Sequence, residues 1–517
     1  MRPDYQYNLG LLFNDVATKN KNNIAIKEID NDYSYETLNK VSNRLSHFLL
    51  KLGITQNDVV AIFNNKSLYS YSLMLACSKI GAIYTNLDPK SPEARLSKML
   101  KTCSPKVIFY SSSNHTPPKE SFVGNIKLID YSDISSKIEN CSDSLPEACD
   151  TVASNTPAYI MFTSGSTGFP KGVVISHQNI LNFIKWSQLT YQTSTSDIFT
   201  NINPMHFDNS VFDFYSSLYT GASIISVQEN LTINPRKLVE HLNHLKPTIW
   251  FSVPSMLVYV LNMRALKDSD LPSLKTVTFG GEGFPKNQLR KLWKLWGDRV
   301  RFVNVYGPTE CTCICSSYNV TEKDLENDDL LPLGQMAPNF YHAVLDENGN
   351  EVRHGEIGEL CIGGPNVGIG YYNNNSKTKE AFVDNPKPLY RDLIYKSGDL
   401  VKQDPNSNLL FFAGRKDNQI KRMGYRIELE EIENALNNLD FIQESAVIFI
   451  DTEKHPSKII GCIKSNLIKT DNINDFLKKF IPLYMIPDMY FRLVDLPKNR
   501  NGKIDRLKLK EKYIIEN

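Results

Sequence analysis

The chain has 517 residues, 41% hydrophobic and 10% aromatic, enough for several packed cores and too apolar for a disordered chain. Its 58 Lys and Arg against 57 Asp and Glu leave a formal charge of +1, which excludes nucleic-acid or membrane-surface binding driven by global charge. Nine cysteines without framework spacing exclude a disulfide scaffold and suit a reducing compartment. The opening MRPDYQYNLGLLFNDVATKN lacks the apolar stretch of a secretory signal. No run approaches ~18 apolar residues, since LMLACSKIGAIY is interrupted by Lys79. A cytoplasmic protein without membrane insertion is expected.

Along the chain, Leu38, Val41, Leu45, Phe48, Leu49 and Leu52 recur at helical spacing and predict an amphipathic helix. DVVAIFN, PKVIFYS and NIKLIDY read as short buried strands, with a helical run through Leu73–Lys79 between the first two. This alternation predicts an α/β fold of β-α-β units around largely parallel sheets. Residues 111–153 are rich in Ser, Asn, Pro and acids and read as a surface segment. After Arg415–Asn418 the character changes to a separate α+β module with a Lys-rich tail. The division expected is 1–416 and 417–517.

The segment Thr163–Val173, TSGSTGFPKGV, carries four hydroxyls, three glycines, a lysine and no carboxylate. Glycine backbone with hydroxyl and ammonium donors suits phosphate oxygens. It follows a strand over Pro157–Met161 and precedes a helical HQNILNFIKWS, a phosphate-binding arrangement in outline. The G-x-x-x-x-G-K-[ST] pattern is absent, because Lys171 lies between Pro170 and Gly172. Composition alone leaves a flexible linker as the other reading. Cys311, Cys313 and Cys315 would share one face if their segment were a strand, most simply one lining a pocket. No partner His/Cys pair at finger spacing points to zinc.

YIMFTSGSTGFPKGVVISHQNI resembles the phosphate-binding signature of the adenylate-forming superfamily, which includes acyl-CoA synthetases, luciferases and nonribosomal peptide synthetase adenylation domains. Further motifs follow in the expected order: MHFDNSVFDFYSSLYTGASI, NVYGPTECT, GELCIGG, YKSGDL, GRKDNQIKRMGYRIELEEIE and NRNGKIDR. The resemblance covers nearly the whole chain. It implies a large N-terminal core of β-α-β sheets with a small barrel-like sheet, followed by a mobile α+β C-terminal module.

It also implies the chemistry. A carboxylate attacks the α-phosphorus of ATP and pyrophosphate leaves, so the protein must clamp and align crowded negative charge. By this resemblance Thr163, Ser164, Gly165, Ser166, Thr167, Gly168 and Lys171 hold the β- and γ-phosphates. Glu310 binds Mg2+, for which one protein carboxylate suffices. Tyr306 lies against adenine, while Gly281, Glu282, Gly307 and Thr309 border the nucleotide. Asp399 accepts from both ribose hydroxyls, supported by Arg415. Lys503 reaches the reacting carboxylate, and Asp417 is the hinge. Bland readings stand beside these: Glu310 as a helix-start acid, Tyr306 as core, Asp399 as a turn residue, Lys503 as part of a solvated basic tail. Lys421-Arg422-Met423-Gly424 departs from the common K-I-R-G pattern by one position of the arginine, which on a strand would send it to the opposite face.

Asp208, after the phenylalanine of HFDNSVFD, matches the residue that pairs with the ammonium of amino-acid substrates. Its alternative is a cap on the helix SVFDFYSSL. The remaining substrate-pocket positions are Asn209, Phe212, Ser252, Thr278, Gly280, Val305, Cys313 and Ile314, a set of modest size and mild polarity. Stand-alone D-alanine:carrier-protein ligases resemble the chain most, although Gly280 replaces a cysteine of that group. Only fourteen residues follow Lys503. The expected acceptor is therefore a phosphopantetheine thiol on a separate carrier protein. An acyl- or aryl-CoA ligase is the alternative within the superfamily, and a non-catalytic nucleotide-binding relative the alternative outside it.

Overall fold

The computed structural model describes residues 6–112, 124, 126–338, 340–385, 392–451, 457–465, 471–498 and 504–516. Two large sheets carry the first two-thirds. In the nine-stranded sheet six strands run parallel, in the order Arg301–Tyr306, Thr276–Gly280, Ile249–Ser252, Ile198–Asn201, Ser223–Ser226 and Ile24–Lys27. Antiparallel strands close its edges. In the seven-stranded sheet five strands are parallel, and Lys171–Ser176 and Gly370–Tyr371 are added antiparallel. Central strands such as Val59–Ile62 and Ile249–Ser252 are buried throughout, as expected for parallel strands covered on both faces. A third sheet of five antiparallel strands spans Tyr341–Arg415.

The amphipathic helix forms over Tyr35–Lys51. Ser34 caps it by accepting from Thr37 N, and Leu38, Leu45 and Leu49 are fully buried. Each such leucine contributes about 1.5–3 kcal/mol of burial. The apolar stretch around Lys79 is the helix Leu68–Ile80, ended by Gly81 at φ 70°. Lys79 is itself buried, and its Nζ donates to Asn39 Oδ1, Ser42 Oγ and Asn43 Oδ1. Among the described residues no helix is long and apolar enough to cross a membrane.

Beyond Arg415 come the hairpin Gln419–Arg422/Tyr425–Glu428, the helix Leu429–Leu436, and a sheet of Ile442–Ile450, Lys458–Ser465 and Met489–Arg492. That sheet shows the period of two directly. Val447, Ile459 and Ile463 join one apolar cluster with the helix Leu429–Leu436. Ala446, Ile448, Ile450, Ile460 and Cys462 join another with Leu509 and Tyr513.

Two local expectations are corrected. The loop after Pro157–Thr163 does not run into a helix. It turns into a second strand, Lys171–Ser176, paired antiparallel through Thr163↔Lys171 to Ile160↔Val174, and the helix His177–Tyr191 starts after that strand. The β-branched run Val173-Val174-Ile175 favours this extension. The cysteine run is not a strand either. Thr309–Cys311 forms a single 3₁₀ turn, and Thr312 and Cys313 are left-handed, at φ 59° and 71°. The strand begins only at Ser316. All nine cysteines are buried and none is in a disulfide, and among the described residues no cluster of three metal-ligating side chains occurs.

Candidate active site

A cleft of about 620 Å³ opens where the C-terminal ends of Ile249–Ser252, Thr276–Gly280 and Arg301–Tyr306 meet the hairpin 419–428. Strand C-termini of open parallel sheets are where ligands bind in such folds. Asp208, Asn209, Gly280, Gly281, Val305, Gly307, Thr309, Cys313, Ile314, Asp399 and Arg415 line it, all named from the sequence. Phe212, Ser252 and Thr278 lie behind the wall. Phe212 packs on Tyr191, Phe199 and Phe251, Ser252 Oγ accepts from Trp250 Nε1, and Thr278 Oγ1 meets the Tyr191 hydroxyl. Phe251, which the sequence did not single out, faces the cleft instead.

Asp208 precedes the helix Asn209–Leu218 without capping it by its side chain. Its Oδ2 accepts from Thr309 Oγ1 at 2.6 Å. Burial pushes its carboxyl above the usual range, and the nearby Glu310 charge adds to that. The Thr309 hydrogen bond and the Arg426 and Lys421 cations act the other way. A ligand cation would relieve this carboxylate.

Asp399 is 2% exposed. Tyr306 donates its hydroxyl to Asp399 Oδ2 at 2.5 Å, and Arg415 Nη1 donates to Oδ1 at 2.7 Å. Burial raises this carboxyl, yet Lys421 and Arg415 outweigh it and hold it below its ordinary value. Arg415 turns its other edge to Asp417, with hydrogen bonds of 2.8 and 2.6 Å. One guanidinium therefore joins the candidate ribose carboxylate to the candidate hinge. Glu282 does not line the cleft; it accepts from Ser255 N at 2.8 Å and Gly424 N at 3.2 Å.

The 163–171 loop is a tight turn. Gly168 N donates to Gly165 O at 2.9 Å, and Gly168 has φ 75°. Ser166 and Thr167 are exposed, while Thr163 Oγ1 is buried without a hydrogen-bond partner. Lys171 Nζ lies 5.4 Å from the Tyr371 ring centre. Burial, aided by Arg426, lowers the pKa of Lys171. Glu310 is fully buried. Tyr371 donates to its Oε1 at 2.8 Å, and Arg426 Nη1 to its Oε2 at 2.7 Å. Burial would raise its carboxyl, but Arg426, Lys171 and Tyr371 reverse this and set it at about 2.

Sequence reading missed Lys421, Arg426, Glu428 and Tyr371. The first three sit in the hairpin, where strand alternation sends Lys421 toward the cleft, 5.2 Å from the Tyr306 ring centre. Arg422 points to the opposite side and pairs with Asp488 at 2.7 Å. The period-two pattern of QIKR and YRIE was the available signal. Lys503, the expected catalytic lysine, lies outside the described residues.

The model for AMP-binding enzymes matches residues 13–372, and that for their C-terminal domain matches 431–503. An L-proline--[L-prolyl-carrier protein] ligase of Pseudomonas fluorescens is 31% identical, over 94% of this chain and 95% of its own. A D-alanine--D-alanyl carrier protein ligase of Bacillus cytotoxicus is 29% identical, over 95% and 97%. Other curated relatives are far longer, and the chain spans 9% of one of them. Among solved structures, the Vibrio cholerae adenylation domain AlmE in complex with glycyl-adenosine-5'-phosphate superposes with a TM-score of 0.82 at 22% identity, covering 99% of both chains, and this supports the fold. With a family model spanning most of its length and a full-length relative at this identity, the chain belongs to the AMP-binding enzyme family.

Proposed function

We propose that the protein activates an amino acid with ATP as an aminoacyl-AMP, releases pyrophosphate, and passes the aminoacyl group to the phosphopantetheine thiol of a separate carrier protein. It is read as an AMP-forming amino acid--carrier protein ligase built from a core, 1–416, and a mobile module, 417–517. The observation that carries the amino-acid reading is Asp208: a buried carboxylate in the cleft, bonded to one hydroxyl and raised by burial. A substrate ammonium would supply the missing countercharge.

In this reading the loop amides, Ser164, Thr163 and Lys171 bind the β- and γ-phosphates. Asp399, held by Tyr306 and Arg415, orients the ribose. Glu310 would hold Mg2+, which supplies charge neutralisation at the phosphates. The fit is sound, because the carboxylate stays ionised and offers hard oxygens, and remaining ligands would come from phosphate and water. Lys503 would neutralise charge at the joining atoms, and rotation about Asp417 would exchange it for the hairpin. Asp417 fits a hinge because its carboxylate is held by Arg415 at the junction of the two units.

The deciding experiment is pyrophosphate exchange with magnesium and ATP against all amino acids of both hands, run beside carboxylic acids lacking an amine. Exchange with one or a few amino acids is expected. Exchange only with acids lacking an amine would instead point to acyl- or aryl-CoA ligation, and none at all to a non-catalytic relative. Transfer is then followed as a mass increase on a pantetheinylated carrier, with free coenzyme A as the competing acceptor.

Two variants belong with this reading. A Cβ on Gly165 would sit 2.1 Å from Phe169 O, so Gly165→Ala must open the loop turn. Overpacking of this kind costs about 1–3 kcal/mol, and ATP affinity is expected to fall roughly 10- to 100-fold with the melting temperature little changed. Calorimetric titration with ATP and magnesium reads the affinity and thermal unfolding the melting temperature, and wild-type affinity would remove the loop from the phosphate site. Lys503→Ala is expected to abolish exchange while ATP still binds. Exchange near wild-type rates would end its assignment.

A further inference from the structure

A single buried amide joins two elements of the cleft wall. Asn203 Nδ2 donates to Phe251 O at 3.0 Å and to Asp213 Oδ2 at 3.4 Å. Phe251 lies near the end of the strand Ile249–Ser252 and lines the cleft. Asp213 is fully buried in the helix Asn209–Leu218, which starts directly after Asp208, another lining residue. The Asn203 amide therefore ties the element that carries the aromatic wall to the element that follows the carboxylate. Neither Asn203 nor Asp213 is among the residues lining the cleft.

Asn203 is itself held in place. Before it, buried Lys66 Nζ donates to Asn201 O at 2.5 Å and Ile202 O at 3.1 Å, and across to Val227 O at 2.9 Å, beyond the neighbouring strand Ser223–Ser226. Lys66 has a left-handed backbone, φ 54°, which a non-glycine residue keeps only where its surroundings impose it. Tyr71 donates its hydroxyl to Asn201 Oδ1 at 2.7 Å, and this turns Asn201 Nδ2 toward Asp213 Oδ2, 3.4 Å away. After Asn203, Phe207 N donates to Pro204 O at 3.1 Å and Val211 N to Asp208 O at 2.8 Å. These short turns carry the placement of Asn203 on to Asp208. A tie serving the fold alone could join strand and helix anywhere along their length, whereas this one ends on the backbone of a cleft residue.

Resting on the adenylation reading, we infer that Asn203 is a positioning residue for amino-acid selection: by tying Phe251 to the helix that follows Asp208, it sets the width left for the substrate side chain between them. A pocket that resolves one methylene needs walls that do not yield, since that methylene is worth only about 10- to 200-fold in preference. Releasing the tie lets Phe251 and Asp208 part, and the preference falls while the reacting groups stay in place.

The test uses the full chain and pyrophosphate exchange. The amino acid preferred by the wild type is compared with its homologue one methylene longer. Asn203→Ala is expected to raise the KM for the preferred amino acid roughly tenfold, leave the KM for ATP unchanged, and shrink the preference over the longer homologue roughly tenfold. A variant damaged only in its fold would lose amplitude with the preference intact. Two variants read the tie from its other end. Burial raises the Asp213 carboxyl well above its usual range, against the Asn201 bond, the Lys66 cation and the Asn203 bond. Asp213→Asn copies the neutral acid, keeps an oxygen to accept from Asn203, and is expected to keep the wild-type preference. Asp213→Leu removes that oxygen and is expected to lose preference as Asn203→Ala does, so the Asp213 variants decide should Asn203→Ala not fold. Wild-type preference in Asn203→Ala or Asp213→Leu, or a loss in Asp213→Asn as deep as in Asp208→Asn, overturns the inference. A wild type that exchanges with amino acids beside variants of unchanged preference loses this inference alone. A wild type that exchanges with no amino acid loses the adenylation reading as well.

Discussion

Asp208→Asn is expected to lose amino-acid-dependent pyrophosphate exchange by about 10²- to 10³-fold, while the protein stays at least as stable as wild type. Breaking a buried charge pair by removing one partner costs about 3–5 kcal/mol, and here the partner removed is the one that would face the substrate ammonium. The free protein gains nothing from that charge. Burial raises the Asp208 carboxyl above its ordinary value, so ionisation opposes folding wherever the group is charged. Asparagine keeps an oxygen for Thr309 Oγ1 and removes the charge. Thermal unfolding and exchange kinetics on one preparation separate the two effects. Exchange within about tenfold of wild type would remove Asp208 from substrate recognition. The same shift gives a pH dependence: substrate binding weakens as pH falls through the raised pKa of Asp208, because the protonated acid no longer attracts an ammonium.

Glu310→Gln is expected to lower exchange by about 10³-fold, since on the proposed reading the site loses the carboxylate that would hold Mg2+. A Lewis-acid contribution of several kcal/mol is at stake. The substitution also has a signature without nucleotide. Glu310 is held at about 2 against an ordinary value of 4.5, by Arg426 and Lys171 acting against burial. A depressed carboxyl stabilises the fold above the unfolded pKa and loses that contribution as pH falls through the folded one. Wild type should therefore be more stable than Glu310→Gln at neutral pH, with the gap narrowing below about pH 4.5 and closing toward pH 2. Denaturant midpoints at neutral pH and at successively lower pH would show it. A gap independent of pH would mean that the Arg426 pair contributes nothing to the folded state.

Such pairs also explain how unevenly the site could be read beforehand. Asp399 and Arg415 were legible because they lie in short motifs with polar residues of defined roles, and the structure joins them directly. Glu310 was legible as an acid in a motif, but its partner Arg426 is 116 positions away. Nothing in local periodicity announces a contact of that separation. Phe212, Ser252 and Thr278 illustrate the converse. Alternation places them on buried elements, but whether a buried side chain faces a cleft or a core depends on what packs opposite, and here Tyr191 and Trp250 claim them.

Local chemistry in the chain was sufficient for the α/β pattern, the amphipathic helix after Ser34, the α+β character of the C-terminal region and the ordered motifs of an AMP-binding enzyme. Each depends on residues within a turn or two of one another, where periodicity and hydroxyl or glycine spacing act directly. Only the tertiary structure decided that the 163–171 loop joins a hairpin rather than a helix start, that the cysteine run is a strained turn, and that Arg426 and Glu428 reach Ser164 and Lys171 of that loop. Those outcomes rest on strand pairing and ion pairing between segments far apart in sequence, whose energies exist only once the sheets and the hairpin are brought together.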